Sequence, residues 1–331
     1  MRTKIVFMFS GQGSQYFLMG KELYEKNSAF RYWMDYCSEF TESNYGFNPA
    51  RIVYEAREKR FEPFNRSLHT SPAIFAISYS MGQALLAEGI YPDELIGYSL
   101  GELTALTMGG YLRLEDGLNL VNRSMQVVEE RTSPAAMMAI LGSPEIYDCY
   151  PEEFDQTTIA SINFNKSFVI TGYKETLENL QSFLSRKDIL TQMLPVSHGF
   201  HSPIIDPAES DLRRLFSSQK LSKGHAHVVS SVYGRLLSQY DLTDDYFWDL
   251  VRQPVRFYKT VQTAEKAGPR LYIDAGPSGT LATFVKYILS PDSASLTVPI
   301  MDKFGLNIRN LKTVTELTAQ VHLRSSRYVN L

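Results

Sequence analysis

The chain is poor in cysteine. Cys37 and Cys149 are the two present among 331 residues, too few for a disulfide framework and not at metal-ligand spacing, so a reducing compartment and no bound metal are expected. An excess of either charge is also missing. Lys and Arg number 33 against 36 Asp and Glu, a formal net charge of −3, and no block of like charge suggests a nucleic-acid partner. Long hydrophobic runs are lacking too. The apolar stretch Ile5–Phe9 is too short for a signal-peptide core and reads as a buried first strand. Nothing approaches the roughly 18 apolar residues of a membrane span, so a cytoplasmic location with no membrane partner is expected. Repeats and low-complexity segments are absent. What remains is 44% apolar and 21% charged residues, the composition of a globular enzyme with one large α/β domain and room for a smaller insert.

Short apolar runs at Lys4–Phe9, Glu94–Gly97 and Leu271–Asp274 predict parallel strands buried on both faces. Between them, helical patterns run over Ser71–Glu88, Gly101–Met108 and Leu114–Glu130, the last with Leu114, Leu118, Val121, Met125 and Val128 at helical spacing. The texture changes near Ser133. Strands over Met137–Leu141, Thr158–Asn163, Phe168–Thr171 and Gln192–Val196, with helices at Pro144–Tyr150 and Lys174–Arg186, give a β-α-β-β-α-β order. That order predicts a small ferredoxin-like subdomain over 132–196, inserted into an α/β-hydrolase-like large domain of 1–131 and 197–331. Helical texture resumes at Ile204–Ser217.

Residues 97–102 read Gly-Tyr-Ser-Leu-Gly-Glu and stand between a strand and a helix pattern. A G-x-S-x-G sequence there predicts a nucleophile elbow, in which both glycines are needed where the turn is too tight for a side chain. Ser99 is left with its hydroxyl at a helix N-terminus, where free N–H groups favour negative charge. The pattern points to serine nucleophilic chemistry. Glu102 reads most simply as a negative charge in the first helical turn.

Several ordered motifs resemble the malonyl-CoA:acyl carrier protein transacylases, whose fold also serves as the acyltransferase of polyketide synthases. They are Gly11-Gln12-Gly13-Ser14-Gln15, the elbow, Asn163, Phe200-His201-Ser202-Pro203 and Asp274-Ala275-Gly276-Pro277, and the likeness covers residues 4 to 290. The resemblance implies Ser99 as nucleophile and His201 as general base and acid. It also implies an oxyanion hole from the backbone N–H groups of Leu100 and Gln12, and an imidazole oriented by a main-chain carbonyl, placed at Leu250. No acidic triad member, metal or bound cofactor is then needed, and Asp206 reads as a solvated side chain or helix cap. With no acidic partner, a single ionisation near about 6.5 is expected for the histidine.

The departures from the family pattern bear on the substrate. Malonyl-transferring members carry an arginine on the helix after the elbow, which forks onto the malonyl carboxylate. A gap-free alignment from Leu114 puts Ser124 there, and anchoring on Met125-Gln126 puts Val121 there. Arg123 is one residue away, a turn of about 100° around the helix. A pocket glutamine is replaced by Ser71, and the elbow's usual histidine by Tyr98. Together with Asn163, Phe200 and His198, these are the expected pocket residues, although His198 also reads as structural. The string His198-Gly199-Phe200-His201 differs from the His-Ala-Phe-His of malonyl-selective members at Gly199.

The set resembles most closely the acyltransferase-like acyl hydrolases of polyketide pathways, which cleave stalled acyl groups from phosphopantetheine thioesters on acyl carrier proteins. An active malonyl transacylase using Arg123 and a non-catalytic carrier-docking homologue are the alternatives.

Overall fold

The computed structural model describes residues 2–55 and 64–327. Its strands, in chain order, are β1 Lys4–Phe9, β2 Glu94–Gly97, β3 Ala136–Leu141, β4 Thr158–Phe164, β5 Ser167–Gly172, β6 Leu190–Met193, β7 His227–Ser230, β8 Arg235–Leu236, β9 Arg270–Asp274 and β10 Leu296–Pro299. They form two sheets. The larger has the order β10-β9-β1-β2-β7-β8, parallel at every pair except the β7–β8 hairpin. Val6, Phe7, Met8 and Phe9 are all fully buried, because helices cover both faces and both sides of the pleat must be apolar. At the other end of these strands Arg270 donates to Glu94 at 2.8 and 3.1 Å, with Lys4 at 2.6 Å on the same carboxylate.

The smaller sheet has the order β4-β5-β3-β6, antiparallel throughout. Its apolar face packs Met138, Ile140, Phe168 and Ile170 against Leu177, Leu180 and Leu184 of the helix Lys174–Ser185. Met137 and Val169 belong instead to the main core cluster, so alternate residues of β3 and β5 serve two cores, as a period of two requires.

Element boundaries depart from the sequence expectation where proline intervenes. The helix expected over Ser71–Glu88 begins at Ser67 and takes Pro72 inside it. Burial of nearly its whole length outweighs the missing N–H. The last strand of the small sheet ends at Met193 rather than Val196, since Pro195 has no N–H for a ladder bond. Strands β7 and β10 are four residues each and carry no periodicity long enough to signal them. Among the described residues no helix is long and apolar enough to cross a membrane.

Candidate active site

Adjacent parallel strands bring three loops to one edge of the large sheet. The chain leaves the C-terminal ends of β9, β1 and β2 there, so Asp274–Pro277, Gly11–Gln15 and the elbow become neighbours, where α/β sheets place ligands. The approach is close. A Cβ on Gly101 would stand 1.9 Å from the Phe9 carbonyl oxygen, and one on Gly97 would stand 2.1 Å from the Glu102 Cα. Ser99 between them has φ 53°, a left-handed conformation that is costly for a residue with a side chain. It directs Ser99 Oγ to within 2.7 Å of His201 Nε2.

His201 also has a positive φ, 60°, and is held from a distance. Its N–H donates to the Val251 carbonyl at 2.9 Å, and the preceding carbonyl, of Phe200, accepts from Thr171 Oγ1 on β5 at 2.9 Å. Nδ1 lies 2.8 Å from the carbonyl of Gln253. A carbonyl can only accept, so Nδ1 carries the proton and Nε2 is the acceptor facing the serine.

The orienting carbonyl is therefore Gln253 and not Leu250. Leu250 lies inside the helix Asp244–Arg252, whereas Gln253 is its C-cap with ψ 152°. Pro254 forces that extended conformation on the residue before it, which swings the carbonyl off the helix axis. The expected pKa also changes. Burial pushes the His201 imidazole down to about 4, against a pull upward from its bond to Gln253, so the ring is neutral well below pH 6.5.

A cavity of about 80 Å³ opens beside Ser99 and is lined by Gln12, Tyr98, Leu100, Val121, Ser124, Met125, Met137, Val169, Phe200, His201 and Leu250 among others. Among the described residues it has no Asp, Glu, Lys or Arg in its wall. Both candidate arginine positions, Val121 and Ser124, face it, while Arg123 is exposed. The Ser124 hydroxyl is buried without a hydrogen-bond partner. Gln12 and Leu100 flank the nucleophile. Neither backbone N–H makes a backbone bond among the described residues, which leaves both free for an oxyanion.

Three expected pocket residues stand behind the wall instead of in it. Ser71 accepts from Gln12 Nε2. Asn163 accepts from Tyr98 OH at 2.9 Å, beside Ser161 at 2.6 Å, so this pair ties the elbow to β4 and uses up the phenol. His198 lies 3.3 Å from Thr132 Oγ1 and forms a bridge with Pro134, a structural place. Its neighbour Gly199 explains the departure in the histidine string. A Cβ there would come 2.6 Å from Ile204 Cβ and Cγ2, so Ile204 occupies the room an alanine needs.

Two acids of the sequence motifs, Asp206 and Asp274, have structural partners. Asp206 pairs with Arg252 on the surface. Asp274 accepts from the Gly276 and Ala282 N–H groups at 2.9 Å, and burial raises its pKa to about 6. Met137, Ala160, Val169, Leu194 and Phe216 also line the cavity and were not expected from sequence. The signal for the strand residues was their alternation on β3, β4 and β5.

An elbow serine bonded to a neutral histidine, with two free N–H groups beside it, is an arrangement for acyl transfer through serine. The acyl transferase domain family matches residues 6–327, and the chain belongs to it. It is 40% identical over 316 residues to the polyketide biosynthesis acyltransferase homolog BaeD of Bacillus velezensis, covering 96% of this chain and 97% of that one. PksD of Bacillus subtilis, of the same description, is 37% identical over 314 residues, with 95% and 96% covered. Among solved structures, the acyltransferase domain from the second module of the salinomycin polyketide synthase aligns with TM-score 0.82 at 27% identity, over 95% of this chain and 72% of that one. The malonyl CoA-acyl carrier protein transacylase of Clostridium perfringens aligns with TM-score 0.80 at 26% identity, over 98% and 100%.

Proposed function

We propose that this acyltransferase-family chain is a serine acyl hydrolase that releases uncharged acyl groups from acyl carrier protein thioesters in polyketide biosynthesis. The observation that carries this reading is the wall of the cavity. With Val121 and Ser124 facing it, Arg123 exposed, and no Lys or Arg in the wall among the described residues, a malonyl carboxylate would be buried unpaired. By analogy with a broken buried ion pair, that costs about 3–5 kcal/mol, a factor of hundreds or more in transfer.

In the proposed mechanism Ser99 Oγ attacks the thioester carbonyl as His201 Nε2 takes its proton. The Leu100 and Gln12 N–H groups hold the oxyanion. Collapse expels the phosphopantetheine thiol, protonated by His201, and leaves acyl-Ser99. Water, deprotonated by the same imidazole, attacks the ester, and the free acid leaves as Ser99 recovers its proton. These steps need neither metal nor bound cofactor. The reading also treats 132–196 as a ferredoxin-like insert in an α/β-hydrolase-like domain, and the protein as cytoplasmic.

The test is mass spectrometry of acetyl and malonyl carrier protein, each incubated with catalytic amounts of the protein. Conversion of acetyl carrier protein to the free thiol, with malonyl carrier protein largely intact, is the expected result. Efficient loading by malonyl-CoA, lost in Arg123→Ala, would establish a transacylase instead. No reaction with either substrate would leave a carrier-docking protein.

A further inference from the structure

Glu102 has no part in the steps above, yet its carboxyl is completely buried three residues from the nucleophile. It does stand in the first turn of its helix, as the sequence suggests, but it faces the interior. Its backbone N–H donates to the Ser99 carbonyl at 2.8 Å. Its side chain accepts from Tyr246 OH at 2.5 Å, from the Ser231 N–H at 2.9 Å and from the Ser231 hydroxyl at 2.8 Å. A buried carboxyl is unfavourable without such donors, and an apolar residue would fill the space with less penalty. Packing alone does not account for it.

Both partners lead to the same atom. Tyr246 belongs to the helix Asp244–Arg252, which ends at the Gln253 carbonyl. Ser231 accepts from the Arg256 N–H at 2.7 Å, fixing the chain just beyond Pro254. Val255 between them is clamped to β4, donating to the Ala160 carbonyl at 2.8 Å and accepting from the Ile162 N–H at 3.1 Å. Glu102 thus holds the elbow through its backbone and, through its side chain, both flanks of the segment that presents Gln253 to His201.

We infer that Glu102 is a positioning residue whose carboxylate clamps segment 246–256 to the elbow helix, and so holds the Gln253 carbonyl and the His201 imidazole in register with Ser99. The kinetic consequence rests on the Ser99–His201 chemistry proposed above. The positioning itself does not.

The test therefore has two readouts on the full chain. In protein with ¹⁵N-labelled histidine, the His201 Nδ1–H resonance, assigned by its loss in His201→Ala, should exchange with water at least about tenfold faster in Glu102→Gln than in wild type, because the amide turns an NH₂ toward groups that are themselves donors. With acetyl carrier protein, the same variant should lose about tenfold or more in kcat while KM stays within about twofold, as expected for misplaced catalytic groups. Tyr246→Phe removes one donor and keeps the ring. It should show both changes at about a third of the size or more, which covers the case in which Glu102→Gln does not fold. Unchanged exchange and unchanged kcat in whichever of these variants folds would overturn the inference, as would a loss confined to KM. If wild type is inert toward the thioester while the exchange change is present, the proposed function falls and the positioning role stands.

Discussion

Ser99 and His201 share a backbone problem and solve it in opposite ways. Both have φ near 60°, yet the serine is held by residues next to it and the histidine by residues about 30 to 50 positions away. At the elbow, Gly97 and Gly101 clear the turn and the Phe9 strand end closes over it. At the histidine, Thr171, Val251 and Gln253 converge from β5 and from the end of a helix. Local strain leaves a mark in sequence because it restricts the residues beside it. Strain held from a distance leaves little, since two of the three partners, Val251 and Gln253, contribute only a backbone carbonyl.

The sharpest break would come at the nucleophile. Ser99→Ala should reduce acyl release by about 10³-fold or more, with the fold intact, because a methyl group fits where the hydroxyl stands. Intact-mass detection of acyl-enzyme, together with a thermal melt, measures both. Turnover at the wild-type level would end the serine mechanism.

Glycine replacements compare the two regions directly. In Gly101→Ala the new Cβ meets a backbone carbonyl at 1.9 Å, and destabilisation of about 3 kcal/mol or more is expected in urea titration. In Gly199→Ala the obstacle is the Ile204 side chain at 2.6 Å, which yields more readily, so about 1–2 kcal/mol is expected. Equal losses would show the histidine loop to be as rigid as the elbow.

Ser124→Arg should move the preference between malonyl and acetyl carrier protein at least about tenfold toward malonyl by restoring a charge-assisted partner. Arg123→Ala should change either rate less than about twofold, since that side chain is exposed. Competition between the two carrier proteins in one tube, followed by mass, measures the ratio.

The smallest expected effect is in pH dependence. The neutral imidazole is the active base, so activity rises as pH climbs through its folded pKa of about 4. Taking that value, kcat/KM at pH 5 should be only about 10% below its plateau, whereas an unperturbed histidine near 6.5 would cut it about 30-fold. The same shift favours folding at neutral pH. The unfolded chain takes up the proton more readily, so this contribution is complete above about 6.5 and declines as pH falls toward 4.

Much of the fold was legible where single elements carry their own pattern. The doubly buried β1, the strand-to-helix turn at Ser99 and the β-α-β-β-α-β succession after Ser133 all show in residue order. Within the site, Ser124 was legible through its alignment with the arginine position of the family pattern, and it lines the cavity together with Val121. Ser71, Asn163 and His198 were assigned to the pocket on motif position. They stand one layer behind it, because a motif records which residues occur together and not which of them reaches the wall. Glu102 does stand in a first helical turn, but its burial and bonding were not legible, because its partners Ser231 and Tyr246 lie more than 125 residues downstream.

The Gln253 carbonyl has a practical consequence for anyone altering this enzyme. An aspartate in that role could be deleted by changing one side chain, but a peptide oxygen survives every substitution at its own position. Position 253 should accept many residues with little change in turnover. The vulnerable neighbour is Pro254, whose ring keeps the helix from running on and drawing that oxygen back into its own hydrogen-bond ladder.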